Sequence, residues 1–534
     1  MGTTAIPRVL VTVDGRPWGV ARVLAMRVIS RLAEPARCEL TGYEPRGGWP
    51  AGVALGAELR VYLGDESDPV FDGDVTGIEL VRDADAAVIR MSGADPLHRL
   101  ARRRSVRALT DLTVAGLAES LIEGVPATVD AAEPGPRVDR RVQLGDDLSF
   151  LVASASAAGL YPVLRRRRLR LITINGHGPA IGLRAGESLY QARVAAGVPT
   201  PGVPMPGVPT PDGTASPDGG LGSGNAGCTE VTAFGWHPQR AEPLLGHATA
   251  PGDGRQVAGR RPAAPPGTGT ADTVVELLVD QAGRTDAELT ARAQATLDRR
   301  GAAAQTVSGT ATGDTRLWAG RQVDVSGLGS GADGRYVLST VVHTVDGSGF
   351  HTAVDTAPPT PSRAQTATAL TLGVVTSVAD PDRLGRVRVS LPGYGDLDAG
   401  WLAVLCPGAG RDKGIVALPD VADSVVVALP HQRPTDGIVL GGVYGMVAPP
   451  DTGVDGDAVR RWSVRTPGGQ AIVVDDAENR VTVTNRAGSV LELGADRLRL
   501  RAATDVVIEA PGKSLTFRAD SIDFEHSGLL PGGL

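Results

Sequence analysis

The side chains in this chain that could do chemistry are scattered. Carboxylate pairs such as Asp380 with Asp382 and the adjacent Asp475 and Asp476 are easy to find. Two carboxyls can cleave a glycosidic bond when a cleft holds them roughly 5–9 Å apart. These four sit among turn residues, where Asp tends to bond to nearby backbone instead. The eight histidines form neither HxH nor HxxxH. His343 and His351 fall on strand-like segments and His237 follows Trp236, positions that suit structural polar residues. Cys38, Cys228 and Cys406 lie far apart and no CxxC occurs. That spacing offers neither a disulfide framework nor a cysteine zinc site. Gly408-Ala409-Gly410-Arg411-Asp412-Lys413-Gly414 has the glycines of a phosphate loop without its Gly-Lys-Ser/Thr ending. It reads as a turn between strands. Arg165, Arg166, Arg167 and Arg168 form the densest positive cluster, either a solvated turn or a contact for an acidic partner. No catalytic residue, cofactor or bound metal is expected from these sets.

The elements that would have to position such residues are short and mostly β. The 534 residues imply several domains. Aromatics are 4% of the chain, beside 70 Gly and 39 Pro. Its cores must therefore be Val, Leu and Ala, joined by many turns. A net charge of −7 gives no basic footprint for nucleic acid. The N-terminal residues lack a secretory signal pattern. No apolar run approaches the ~18 residues of a membrane helix. The chain is expected to be made in the cytoplasm.

Alternation of period two marks strands at 9–13, 58–63, 69–75 and 87–91. Thr113 can cap a helix over 114–122, a second helix runs from Asp147 to Gly159, and a third covers 286–300. A hairpin spans 161–172 with the four arginines at its turn. Residues 197–227 are Pro, Gly, Ser and Thr with few apolar residues, which predicts a flexible insertion. A second loose stretch covers 247–270, with a strand at 228–236 between the two. Further strands fall at 321–325 and from 335 to 345, and the Pro-rich run 357–361 marks a boundary. Residues 370–447 hold about five short strands with Gly turns, the pattern of a small OB-type barrel.

From Trp462 to His526 the chain alternates again, at 471–474, 481–484, 490–493, 498–501, 506–509 and 515–518. Each segment has one apolar stripe and nothing in the same chain to pack it against. Stacking into a ladder, with copies of the ladder packed together, resolves this. An ordinary β-sandwich tail is the plainer reading.

Several motifs occur in an order that resembles the VgrG-like spike proteins of contractile injection systems, which include phage tail hub and needle proteins and type VI secretion spikes. They are Phe71-Asp72-Gly73-Asp74-Val75, Leu112 to Ala118, Gln143 to Leu151 with Ala158-Gly159-Leu160-Tyr161, and Val231 to Pro238. Asp333-Gly334-Arg335-Tyr336-Val337-Leu338 to His343 closes that part. Residues 373–378, 380–389, 401, 419–427 and 434–444 are similar to the baseplate OB-fold pattern.

The resemblance implies a mainly β fold: β-barrel hub domains with a few helices, an OB-fold barrel and a C-terminal trimeric β-helix or β-prism needle. Its divisions would be a hub barrel at 1–100, a helical/β hub segment at 101–196, the insertion at 197–227 and a second hub β-domain at 228–358. A linker at 359–369, the OB collar at 370–447, a linker at 448–461, the needle at 462–526 and a tip tail at 527–534 would follow. It implies a homotrimer and partners in the inner tube protein, the baseplate proteins and a tip-sharpening PAAR-like protein or effector cargo. The target would be a cell envelope, and Arg165 to Arg168 would face the baseplate. Leu529, Leu530 and Leu534 would dock the tip partner. Some family needles bind a metal through a His-x-His pair, and here only His526 is in place. Seventeen residues separate Tyr444 from Trp462, too few for the lysozyme domain that some phage versions carry there. A polysaccharide-degrading β-helix enzyme and a trimeric adhesin are the rival readings.

Overall fold

The alternating segments Val9–Val13, Glu58–Leu63 and Phe71–Arg82 are strands that turn apolar side chains into a shared core. The computed structural model describes residues 6–20, 22–44, 52–64, 67–82, 87–131, 133–196, 228–252, 254–257, 274–360 and 367–524. The insertion at 197–227 lies outside them, as do 258–270 of the second loose stretch. The rest of that stretch is more ordered than its composition suggests. The strand Glu242–Ala248 ends within it, and Gln256–Val257 pairs with Gly334–Val337.

The chain divides into two units, Met1–Val443 and Tyr444–Leu534. In the first, an eleven-stranded sheet joins two regions of sequence. Thr340–Asp346 pairs antiparallel with Arg22–Arg31, so the later strands continue the sheet that the N-terminal strands begin. One core gathers Leu59, Phe71, Ile89 and Met91, and another gathers Leu183, Val307, Val341 and Val354.

The Phe71–Val75 motif shows what its spacing serves. Phe71 and Val75 are buried in the first core. A Cβ on Gly73 would collide with the carbonyl oxygen of Ala94, so only glycine lets the neighbouring strand approach. Asp72 and Asp74 receive arginines from elsewhere: Arg167 donates to Asp72, and Arg99 donates two bonds of 2.7 and 2.8 Å to Asp74.

Four helices occur among the described residues: α1 (His98–Arg102), α2 (Val114–Leu121), α3 (Asp147–Ala157) and α4 (Asp286–Ala303). Thr113, Asp146 and Thr285 cap the last three, each side chain accepting from a backbone N–H three residues on. Such caps satisfy donors that a helix start leaves open. Helix α4 lies on the sheet of Glu242–Ala248, Cys228–His237 and Val274–Gln281, burying Leu289, Ala293 and Leu297 against Val231 and Ala233.

Five strands close a barrel: Ala369–Ser377, Val387–Leu391, Leu397–Val404, Ser424–Leu429 and Ile438–Gly442. Its interior is aliphatic, with Val375, Val389, Leu402, Val427 and Val439 fully enclosed. The loop Asp380 to Arg386 is folded by one carboxylate. Asp380 accepts N–H bonds from Asp382, Leu384 and Arg386, and the Arg386 guanidinium besides. That guanidinium holds the Asp380 carboxyl well below the usual carboxylate range. The pair serves the loop's geometry, as Asp in turns does.

In the second unit, Arg461–Arg465, Ala471–Asp475, Arg480–Thr484, Val490–Leu493 and Leu498–Arg501 form one antiparallel sheet in chain order. Residues 506–509 and 515–518 are not strands here, contrary to the expectation from their sequence. The sheet ends at Leu498–Arg501, and among the described residues no strand of the same chain pairs with these segments.

Candidate functional site

The structure does not bring the chemically capable residues together. Asp475 accepts from the backbone N–H of Glu478, a turn bond. Cys38 is buried, and burial pushes its thiol well up. His343 is enclosed in the hub, where its Nε2–H donates to the Leu317 carbonyl and its Nδ1 accepts from the Thr352 hydroxyl, each at 3.0 Å. Burial pushes it down to about 4, so it is a neutral structural residue near pH 7. His351 and the Tyr190 hydroxyl bond at 3.1 Å, and Ser348 bonds to the other ring nitrogen. His237 is buried at the end of its strand, and burial again lowers its pKa. Among the described residues, no cluster of three or more His, Cys, Asp or Glu side chains could hold a metal. Gly408 to Gly414 is a hairpin-like turn, with Gly410 and Lys413 bridging.

The arginine cluster sits at the tight turn of the hairpin Tyr161–Arg165 and Arg168–Ile172. Arg166 and Arg167 both have positive φ, 51° and 59°, which bulky residues rarely adopt. Their charges go to the N-terminal sheet. Arg166 pairs with Asp68 at 2.6 Å, and Arg167 spans Asp72 and Glu58. Arg165 lies 5.2 Å from the Trp318 ring and donates to the Thr315 carbonyl. Its pKa is pushed down to about 10, by burial first and by its arginine neighbours second. Three of the four thus act inside the molecule, and Arg168 alone is exposed without an assigned ion pair among the described residues.

A polar clamp with no signal in the local sequence joins the hub to the barrel. Arg284, just before α4, donates to the Asp436 carboxylate at 3.2 Å and the Thr435 carbonyl at 2.6 Å. The pair is nearly closed to water, at 8% and 5% side-chain exposure. Arg433 takes the other Asp436 oxygen at 3.1 Å. Gln239 donates to the Trp401 carbonyl at 2.6 Å, and Arg140 to the Asp398 carbonyl. Apart from Arg433, these partners lie 150 or more residues apart in sequence.

The second unit carries an open apolar face. Its register puts Val464, Ile472, Val483, Leu491 and Leu500 in one row across five strands. Trp462, Val474, Val481, Leu493 and Leu498 make the adjacent row on the same face. The other face is mixed, with Ser463, Val473, Thr482, Glu492 and Arg499 in one row. One face is therefore wholly apolar, and it is open: Trp462 is 70% exposed and Leu500 61%. The expectation of one stripe per strand with no second apolar face holds. The candidates at the tip, His526, Leu529, Leu530 and Leu534, lie outside the described residues.

The arrangement defines a class: a β-rich hub locked to a closed barrel, then an amphipathic sheet on the same chain. Residues 371–444 match the family described as the type VI secretion system/phage-baseplate injector OB domain. No curated protein matches the chain. Among solved structures it is similar to a chain of the Francisella PdpA–VgrG complex, at 7% identity and TM-score 0.53, over 94% of this chain and 81% of that one. It is also similar to the E. coli c3393 protein, described as a type VI secretion component resembling the T4 tail proteins gp27 and gp5. That match has 15% identity and TM-score 0.51, over 81% of this chain and 99% of that one. The chain has the fold of a VgrG-like spike protein.

Proposed function

We propose that the chain is the structural central spike of a contractile injection apparatus, working as a homotrimer. The observation that carries the reading is the open apolar face of the second unit, on a chain that also holds an injector OB domain. Ten large side chains on that face, each partly exposed, represent on the order of 10 kcal/mol of unused burial per chain. Two further copies supply the missing surface, and threefold closure leaves no unmatched edge. In the closed needle, residues 506–509 and 515–518 pair with strands of the neighbouring copies, which settles their unpaired backbone groups.

In this reading the hub and barrel at 1–447 connect the needle to inner tube and baseplate, with exposed Arg168 as the charge left free for a baseplate contact. The needle at 462–526 is driven through a target envelope. Leu529, Leu530 and Leu534 dock a tip protein or effector, and truncation after Ser527 removes that binding while leaving the trimer. The spike does this work without catalysis. The deciding measurement is the mass of the purified full chain by light scattering. A trimer that resists denaturant supports the reading; a stable monomer at micromolar concentration ends it.

A further inference from the structure

Between the barrel strands Leu397–Val404 and Ser424–Leu429 the chain leaves the barrel as an arm, residues 405–421. Its backbone is folded on itself: the N–H of Ile415 donates to the Pro407 carbonyl, and Gly410 and Lys413 exchange bonds at the tip. Its side chains are the reverse of what a surface loop shows. Leu405, Ile415, Val416 and Val421 are all more than half exposed, with Val416 at 77%. A loop with fixed backbone and outward aliphatic side chains is shaped for a contact that the single chain does not supply.

We propose that this arm seats on the barrel of a second copy of the chain, against the outer face of the strand Ala369–Ser377, where Leu370 and Leu372 project. This rests on the trimer reading above and names a surface through which its barrels meet.

Three observations favour a second copy over an unrelated partner. Leu370 and Leu372 are 67% and 58% exposed on the same small domain, so the chain carries both halves of an apolar contact. The charges match. Outside the arm tip, residues 369–443 carry seven acidic and four basic side chains, an excess of three negative charges. The tip itself, Arg411, Asp412 and Lys413, is one positive in excess and fully extended into solvent. Finally, fewer than twenty residues separate Val443 from Trp462, where the open apolar sheet begins. Copies joined through that sheet hold their barrels on short tethers, and a short tether raises the effective concentration to about the millimolar range. At that concentration a modest apolar contact between barrels forms.

The test uses the full chain with Cys228→Ser and Cys406→Ser as background. Leu372→Cys and Val416→Cys are introduced singly and together, and the native protein is treated with a short bis-maleimide. The pair is expected to give bands at two and three times the chain mass on a denaturing gel, well above either single variant. A native trimer whose pair gives only the single-chain band overturns the inference and leaves the trimer standing. A wild-type chain that is monomeric overturns both. A second measurement avoids the cross-linker. In the Ile415→Ser, Val416→Ser double variant, hydrogen exchange across 370–372 should quicken at least several-fold while the mass stays trimeric. Unchanged exchange there counts equally against the contact.

Discussion

Buried polar groups in this chain answer to hydrogen-bond geometry, and their pH behaviour follows. His343 has both ring nitrogens engaged and is pushed down to about 4 by burial. An unfolded histidine titrates near 6.5. Between those values the unfolded chain binds a proton that the folded chain refuses, so stability falls as pH drops from about 6.5 to about 4. The full effect is roughly 3 kcal/mol at the acid end of the window. Thermal melts from pH 7 to pH 4 should show this slope, and His343→Gln should flatten it. The Asp436 clamp responds differently. Asp436→Ala leaves Arg284 closed in without its counter-charge, a loss of roughly 3–5 kcal/mol. Replacing both together, Arg284→Met with Asp436→Leu, should recover most of that loss, because the nearly closed-in charge goes with its partner and only Arg433, at 23% side-chain exposure, loses a contact. Urea midpoints of the three variants check it. His343 was legible in the sequence as a structural residue on a strand. The clamp was not, since no local pattern marks a pair whose members meet only after two domains have folded.

Secondary elements were legible where local chemistry decides them. Thr113 and Asp147 announced α2 and α3, and the barrel's five strands followed from alternation and glycine turns. The strand Arg104–Thr113 escaped notice because its polar and apolar residues do not alternate cleanly. It exists through nine paired positions with Arg137–Asp146, a partner that local pattern does not reveal. The same dependence on a neighbour appears where α4 crosses its sheet. Gly246 lies so close to the backbone of Leu289 and Thr290 that an added Cβ would overlap main-chain atoms. Neither side can yield by a rotamer change. Gly246→Ala should therefore push α4 off the sheet and cost at least 1–3 kcal/mol, the range for overpacked cores. Gly182→Ala is the matching control, a strand glycine without positive φ and with nothing within 4 Å of its added Cβ. If Gly246→Ala loses no more stability than Gly182→Ala, close packing is not what selects glycine there.

At the scale of the whole molecule, the decisive property is the contrast between the two units. The first buries its apolar residues in several cores of its own, whereas the second pairs its strands fully and still leaves one face bare. The alternation in sequence already held that information; which copies close the face was beyond it, because symmetry is not written in a single stripe. Ile472 and Leu491 occupy one row of the face, on either side of Val483. In a lone chain both are substantially exposed, at 47% and 37%, and there Ile472→Asp with Leu491→Asp should shift stability by no more than about 0.5 kcal/mol per site. In a closed trimer each new carboxylate would be buried without a partner, at roughly 3–5 kcal/mol apiece. The double variant should then elute as a folded monomer with unchanged hub and barrel, while Ser463→Asp with Thr482→Asp, on the opposite face, stays trimeric. Equal behaviour of the two pairs would show that the apolar face is not what holds the copies together.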